Sequence, residues 1–296
     1  MKIIVTGSLG HISKPLVEKL TASKHDVTVI SSSSARTAEI EALGAVAAVG
    51  SVSDQAFVTA TFKGADAVYT MVPPTFAAAN WKQHIAGIGK IYANAIAETG
   101  VKYVVNLSSM GAHMAEGCGP VSGLYFVEQA LNALEGVNVK HLRPGFFFYN
   151  FLANTGMVKH MGIIGGNYGE GAKLVLANPA DIADAAAEEL LALSFTGKSV
   201  RYVASDEKTT DEIATILGEA IGKPDLKWVN FSDEQTMGGM LQNGVPEDVA
   251  KNYAEMGAAM RSGEMASDYL KNQPVVFGKT VFEAFAPVFA AVYAQQ

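Results

Sequence analysis

The chain has 296 residues, 49% hydrophobic and 17% charged, enough apolar material for a sizeable core and not the composition of a disordered chain. Lys and Arg number 22 against 29 Asp and Glu, and the net charge of −7 argues against a dedicated nucleic-acid binder. A single cysteine, Cys118, excludes an intramolecular disulfide and a cysteine-based zinc site. No secretory leader pattern is present, and no apolar run nears the ~20 residues of a membrane helix, so a cytoplasmic protein without membrane contact is expected.

Residues 2–6 (KIIVT) have the β-branched pattern of a buried strand. A turn at 7–10 leads into a helix over 11–24, with Ile12, Leu16, Val17 and Leu20 on one face. Strands follow at 27–31, 46–49 and 67–72, separated by helices at 35–43 and 54–62. A long helix over 77–99, a strand at 101–107, a helix at 121–134 and a strand at 137–142 complete the first half. This alternation predicts βαβ crossovers: an α/β, Rossmann-type, doubly wound parallel sheet.

The second half is less regular. Residues 146–151 (FFFYNF) form an aromatic cluster, and 162–171 read as a glycine-rich loop. Helices are expected at 181–193, 209–221, across most of 233–262, and at 280–293; strands are expected at 199–204 and 227–231. Either Asn178 or Asp181 could cap the first of these helices. Residues 1–150 with about 171–205 are expected to form the dinucleotide-binding domain, and about 151–170 with 206–296 a smaller, mostly helical substrate lobe.

The turn after the first strand carries the strongest chemical signal. Gly7-Ser8-Leu9-Gly10-His11-Ile12-Ser13 stands between a strand and a helix, where a glycine turn lets backbone amides face a pyrophosphate. Ser13 replaces the third glycine, at the position used for close helix–strand packing. An acidic residue about ~20 positions onward would favour NAD; Ser31, Ser32, Ser33 and Arg36 stand there instead and suit a 2′-phosphate, so NADP(H) is favoured with NAD(H) left open. Three further strand ends are expected to line the same crevice: Val72-Pro73-Pro74, Leu107-Ser108-Ser109 and Arg143-Pro144-Gly145-Phe146. Strand-end hydrogen bonding explains the two serines as well as catalysis does.

In order and spacing the chain resembles the NmrA-like branch of the atypical short-chain dehydrogenase/reductases. The carriers are VTGSLGHIS (5–13), VVNLSSMGA (104–112), LRPGFFFYN (142–150) and NPADIADAA (178–186). Residues 244–270 look like the NADPH-dependent quinone and triphenylmethane-dye reductases of that branch. The resemblance implies NADP(H) binding and, as alternatives, either a reductase or a dinucleotide-sensing regulator with a protein partner. A nucleotide-sugar epimerase is a third reading. Conventional short-chain dehydrogenases carry a Tyr-x-x-x-Lys pair on the helix after the fifth strand, but here those positions fall at Pro120 and Leu124, and Tyr125 is one residue out of register. A site without the pair still suits a good hydride acceptor such as a quinone.

The expected cofactor contacts are thus Gly7, Ser8, Leu9, Gly10, His11, Ile12, Ser31, Ser32, Ser33, Arg36, Val72, Pro73, Ser108, Pro144 and Phe146. The substrate pocket is expected from Ser109, Met110, Phe147, Tyr149 and Asn150, with His113 the candidate proton donor. No metal is expected. The implied partners are a small-molecule substrate and, as an option, a second copy of the chain.

Overall fold

A computed structural model describes residues 1–274 and 276–295. The strands in chain order are β1 (Lys2–Val5), β2 (Asp26–Ser31), β3 (Val46–Val49), β4 (Ala67–Thr70), β5 (Tyr103–Leu107) and β6 (Asn138–Pro144). Then come β7 (Phe146–Phe147), β8 (Ile164–Gly166), β9 (Lys173–Ala177), β10 (Lys198–Val203), β11 (Asp206–Thr209) and β12 (Trp228–Asn230). The helices are α1 (Ser13–Ala22), α2 (Thr37–Ala42), α3 (Gln55–Phe62), α4 (Trp81–Thr99), α5 (Val121–Asn132) and α6 (Thr155–Met161). The last five are α7 (Pro179–Ala192), α8 (Thr210–Ala220), α9 (Asp233–Gln242), α10 (Glu247–Ser262) and α11 (Ala286–Ala294).

Seven strands form one parallel sheet in the order β3-β2-β1-β4-β5-β6-β10. Ile3, Ile4 and Val5 are fully buried because helices cover both faces. On one face α1, α2 and α7 pack through Leu16, Leu20, Ile40, Ile182 and Leu190. On the other, α3, α4 and α5 pack through Val58, Ile88, Ile96, Val127 and Leu131. Helices α4 and α5 meet without spacers. A Cβ on Gly89 would lie 2.8 Å from Val127 Cα, and one on Gly123 would lie 2.8 Å from Ile85 Cβ.

A buried polar line crosses this sheet. Thr70 donates to Asn106 Oδ1 at 2.9 Å, Asn106 Nδ2 lies 3.1 Å from His141 Nδ1, and His141 Nε2 lies 3.0 Å from Asn132 Oδ1. The partners assign one tautomer, with Nδ1 accepting and Nε2–H donating. Burial holds the imidazole neutral, lowering its pKa to about 4.

A second layer completes the chain. Strands β11-β9-β7 and β12-β8 form two small sheets over a third core rich in aromatic rings, where Phe148, Phe151, Phe282, Phe285 and Phe289 interlock. Two carboxylates clip the C-terminal segment onto it. Asp181 accepts from the backbone amides of Lys279 and Thr280, both at 3.2 Å, and Asp206 accepts from that of Phe282 at 2.8 Å. With Asp181 so engaged, the α7 cap is Asn178, whose Oδ1 accepts from the Ala180 amide at 2.8 Å.

Several elements differ from the sequence reading. Helix α4 starts at Trp81 rather than 77, because Asn80 caps it by accepting from the Gln83 amide. The glycine-rich stretch 162–171 contains β8, and 173–177 joins the small sheet rather than the large one. Gly244 and Pro246 break the expected 233–262 helix into α9 and α10. Among the described residues no helix is long and apolar enough to cross a membrane.

Candidate functional site

The chain moves outward from β1 to β2 and β3, then returns across the sheet to β4 on the other side of β1. The two windings diverge at β1/β4, and a crevice opens there beyond the carboxyl ends of the strands. A cavity of about 640 Å³ occupies that place. It runs from Ser32, Gly50, Ser51 and Ser53 at the ends of β2 and β3, past the glycine turn, to Leu107, Phe147, Tyr149 and Pro179.

Gly7 turns the chain at φ +91°, a conformation that strains any residue with a side chain. A Cβ there would stand 2.8 Å from Ser13 Oγ and 2.9 Å from Met71, so a side chain fits neither the torsion nor the space. Ser8 follows at φ +54°, fastened by its amide to the Ile30 carbonyl at 3.0 Å and by its hydroxyl to Ser31 Oγ at 3.0 Å. Ser13 does the packing expected of it, its hydroxyl donating to the Thr6 carbonyl at 3.0 Å. Among the described residues no side chain caps the N-terminus of α1, where Gly10, His11, Ile12 and Ser13 line the cavity. The Gly10, Lys14 and Leu16 amides already donate to the Gly7, Gly10 and Ile12 carbonyls and Pro15 has no N–H, so the amides of His11, Ile12 and Ser13, at the positive end of the helix dipole, are those suited to an anion.

Of the predicted contacts, the cavity brings together Gly7, Ser8, Gly10, His11, Ile12, Ser32, Pro73, Phe147 and Tyr149. His11 and Tyr149 stack with centroids 4.3 Å apart, and Phe285 meets the tyrosine ring edge-on. The remaining candidates are not among the residues lining the cavity. Leu9 packs into the first core and Val72 against the second. Ser31 lies behind Ser8, Ser33 is exposed, and the Arg36 guanidinium pairs with Glu39 at 2.7 Å. Pro144 is buried in β6 beside Val203, and Phe146 packs on Phe151 and Tyr168. Ser109 bonds to the Met110 carbonyl, Met110 is core, and Asn150 is exposed. His113 sits away from the cavity, its Nε2 3.2 Å from Ser267 Oγ.

Ser108 belongs to an ionic cluster. Its hydroxyl donates to Glu128 Oε1 at 2.5 Å, and Glu128 receives Arg143 Nε at 3.0 Å and Nη2 at 2.6 Å. Arg143 also reaches Asp268 at 2.9 Å, and Tyr202 donates to the same carboxylate. Sequence reasoning missed Tyr69, Met71, Thr75, His84, Pro179 and the β3 end at Gly50–Ser53, which all line the cavity, as does Leu107 at the end of β5. The signal available for the β3 end was the 3-2-1 strand order, which sets it beside β2.

No Asp, Glu, Lys or Arg is among the described residues lining this cavity. A second groove of about 960 Å³ runs along β10 and α7, where Asp184 pairs with Lys279 and Glu188 with Arg201, and the glycine turn is not part of its lining.

Cys118 is buried in the loop after β5, and burial pushes its thiol up to about 12. Ellman's reagent should therefore modify the native protein roughly a thousandfold more slowly than free cysteine at equal pH. Unfolding should restore the ordinary rate. Fast labelling of the native protein would contradict this placement.

Known proteins share this architecture. An NADPH-dependent quinone oxidoreductase of Escherichia coli superimposes with a TM-score of 0.78 at 23% identity, covering 97% of this chain and 99% of that one. A triphenylmethane reductase of Citrobacter sp. does so with a TM-score of 0.80 at 20% identity, covering 98% and 100%. In sequence, an NAD(P)H azoreductase of Xenophilus azovorans is 25% identical over 295 residues, 98% of this chain and 99% of the relative. Residues 1–268 match the NmrA-like family over most of the chain. With its Rossmann-type sheet and its glycine turn at the crossover point, this chain belongs to the NmrA-like family.

Proposed function

We propose that this chain is an NAD(P)H-dependent oxidoreductase, with NADPH preferred, that reduces a conjugated small molecule such as a quinone, azo compound or cationic dye. The observation that carries this reading is one cavity joining an uncapped helix N-terminus at Gly10–Ser13 to an apolar end at Leu107 and Phe147. The relatives named above supply the acceptor class.

The residues present fit such a cofactor. The Gly7 turn presents bare backbone, and the carboxylate-free β2 and β3 ends offer Ser32, Ser51 and Ser53 to the adenosine side without penalising a 2′-phosphate. A bound nicotinamide supplies the hydride. The chain's own part is positioning and water exclusion: the amides of His11, Ile12 and Ser13 hold the diphosphate, while Met71, Pro73, Leu107 and Phe147 make the far end apolar. A flat acceptor meets Phe147 there, since the Tyr149 ring is already covered by His11. His11 and His84 are the histidines lining the cavity, and solvent reaches the open mouth to complete protonation of the product.

The test is a fluorescence titration with NADPH and NADH, followed by menadione and an azo dye. Tighter binding of NADPH and acceptor-dependent loss of its absorbance are expected. Binding without turnover of any acceptor would overturn the reductase reading in favour of a sensor. Failure to bind either nucleotide would overturn the cofactor assignment itself.

A further inference from the structure

Tyr69 stands out among the buried tyrosines. Tyr92 donates to the Met71 carbonyl at 2.7 Å, Tyr202 to Asp268, and Tyr269 to Glu207 at 3.0 Å. The Tyr69 hydroxyl is buried as well, its residue packed in the first core at the cavity wall, and has no hydrogen-bond partner among the described residues. Leaving a buried hydroxyl unpaired is costly, and a native fold retains one where something else completes it.

Its place in the sheet says what that is. Tyr69 lies on β4 opposite Val5 of β1 and Val105 of β5, so it sits between the strand that feeds the glycine turn and the strand that ends in Leu107. It lines the same cavity as Gly7, Met71, Leu107 and Phe147. Of the described residues with an unpaired buried polar side-chain atom, it is the one that lines this cavity. Burial also holds the phenol protonated, well above its ordinary range, so the group acts as a hydrogen-bond donor.

We propose that Tyr69 is a ligand-binding residue whose hydroxyl donates to an oxygen on the nicotinamide mononucleotide half of the bound dinucleotide. The inference rests on the cofactor reading above and adds a residue to it. Met71 is built to match: Thr6 Oγ1 accepts from its amide at 2.8 Å and Tyr92 donates to its carbonyl, so the backbone beside Tyr69 is fixed before any ligand arrives. The turn's neighbour is thus rigid while its one donor waits unpaired.

The test is Tyr69→Phe in the full-length chain, with affinities measured by titration for NADPH and for 2′,5′-ADP, which carries only the adenosine half. Thermal melting of the free protein is measured alongside. A neutral hydrogen bond predicts NADPH affinity about 3- to 10-fold weaker, with 2′,5′-ADP affinity unchanged. The free variant should melt no lower than the parent, because an unpaired hydroxyl has been removed. Unchanged NADPH affinity would overturn the inference while leaving cofactor binding intact. Equal losses for both ligands, or a lower melting temperature, would overturn it by showing a general packing role. A parent protein that binds neither ligand would instead bring down the cofactor reading.

Discussion

Arg143→Met should remove about 3–5 kcal/mol of folding stability, a loss expected when one partner of a buried ion pair is deleted. Glu128 is 2% exposed and takes two hydrogen bonds from that guanidinium, so the methionine would leave its carboxylate buried with Ser108 alone. Asp268 loses its ionic partner too, but it keeps the Tyr202 hydroxyl, lies nearer solvent and recovers some hydration. The pair itself need not be strongly stabilising, because desolvating two charges offsets most of their attraction. Removing the stranded charge as well, in Glu128→Gln with Arg143→Met, should therefore restore more than half of the loss. Urea denaturation of the parent, the single variant and the double variant measures both numbers. A single variant within about 1 kcal/mol of the parent would show that the cluster is hydrated rather than buried.

The second large effect is a dependence of stability on pH that originates at His141. Its imidazole titrates near 6.5 in the unfolded chain and at about 4 in the fold, because burial disfavours the cation. Glu128 pulls the value up, while Arg143 and Lys198 push it down. Between those values the unfolded chain binds a proton that the native protein does not, so stability rises with pH. Full stability is reached above pH 6.5, falls as the pH drops toward 4, and levels below that. A shift of this size corresponds to about 3 kcal/mol over the window. Between pH 6.5 and 5 carboxylates remain mostly ionised, so the slope there belongs chiefly to histidine. His141→Gln should flatten that part of the curve while lowering stability at neutral pH through the lost bond to Asn106 or Asn132. An unaltered slope in the variant would assign the pH dependence elsewhere.

The sheet was readable because each strand carries its own evidence. KIIV and VYT are β-branched or aromatic and buried on both faces, and glycines or prolines mark where they stop. Strand β11 (DEKT) has no apolar alternation and exists because β9 lies beside it, a relation that local pattern does not encode. The site divides the same way. The glycine turn is a local device, so the place of Gly7, Ser8, Gly10, His11 and Ile12 in the cavity wall was legible. Arg36 and Ser108 looked equally suitable by position, and what local pattern does not encode is that they pair with Glu39 and Glu128. Tyr69 read as one more apolar strand residue, since only the three-dimensional surroundings reveal a hydroxyl without a partner.

The carboxylate clip at Asp181 and Asp206 also sets a timetable for synthesis. The first core is assembled from residues up to Val203, whereas the third needs Phe282, Phe285 and Phe289. At typical elongation rates of about 5–20 residues per second, the intervening stretch takes several seconds to emerge. During that interval Phe148 and Phe151 have no ring partners from the C-terminal segment. The nascent chain is therefore most exposed to aggregation and to chaperone capture just before its last aromatic residues leave the ribosome.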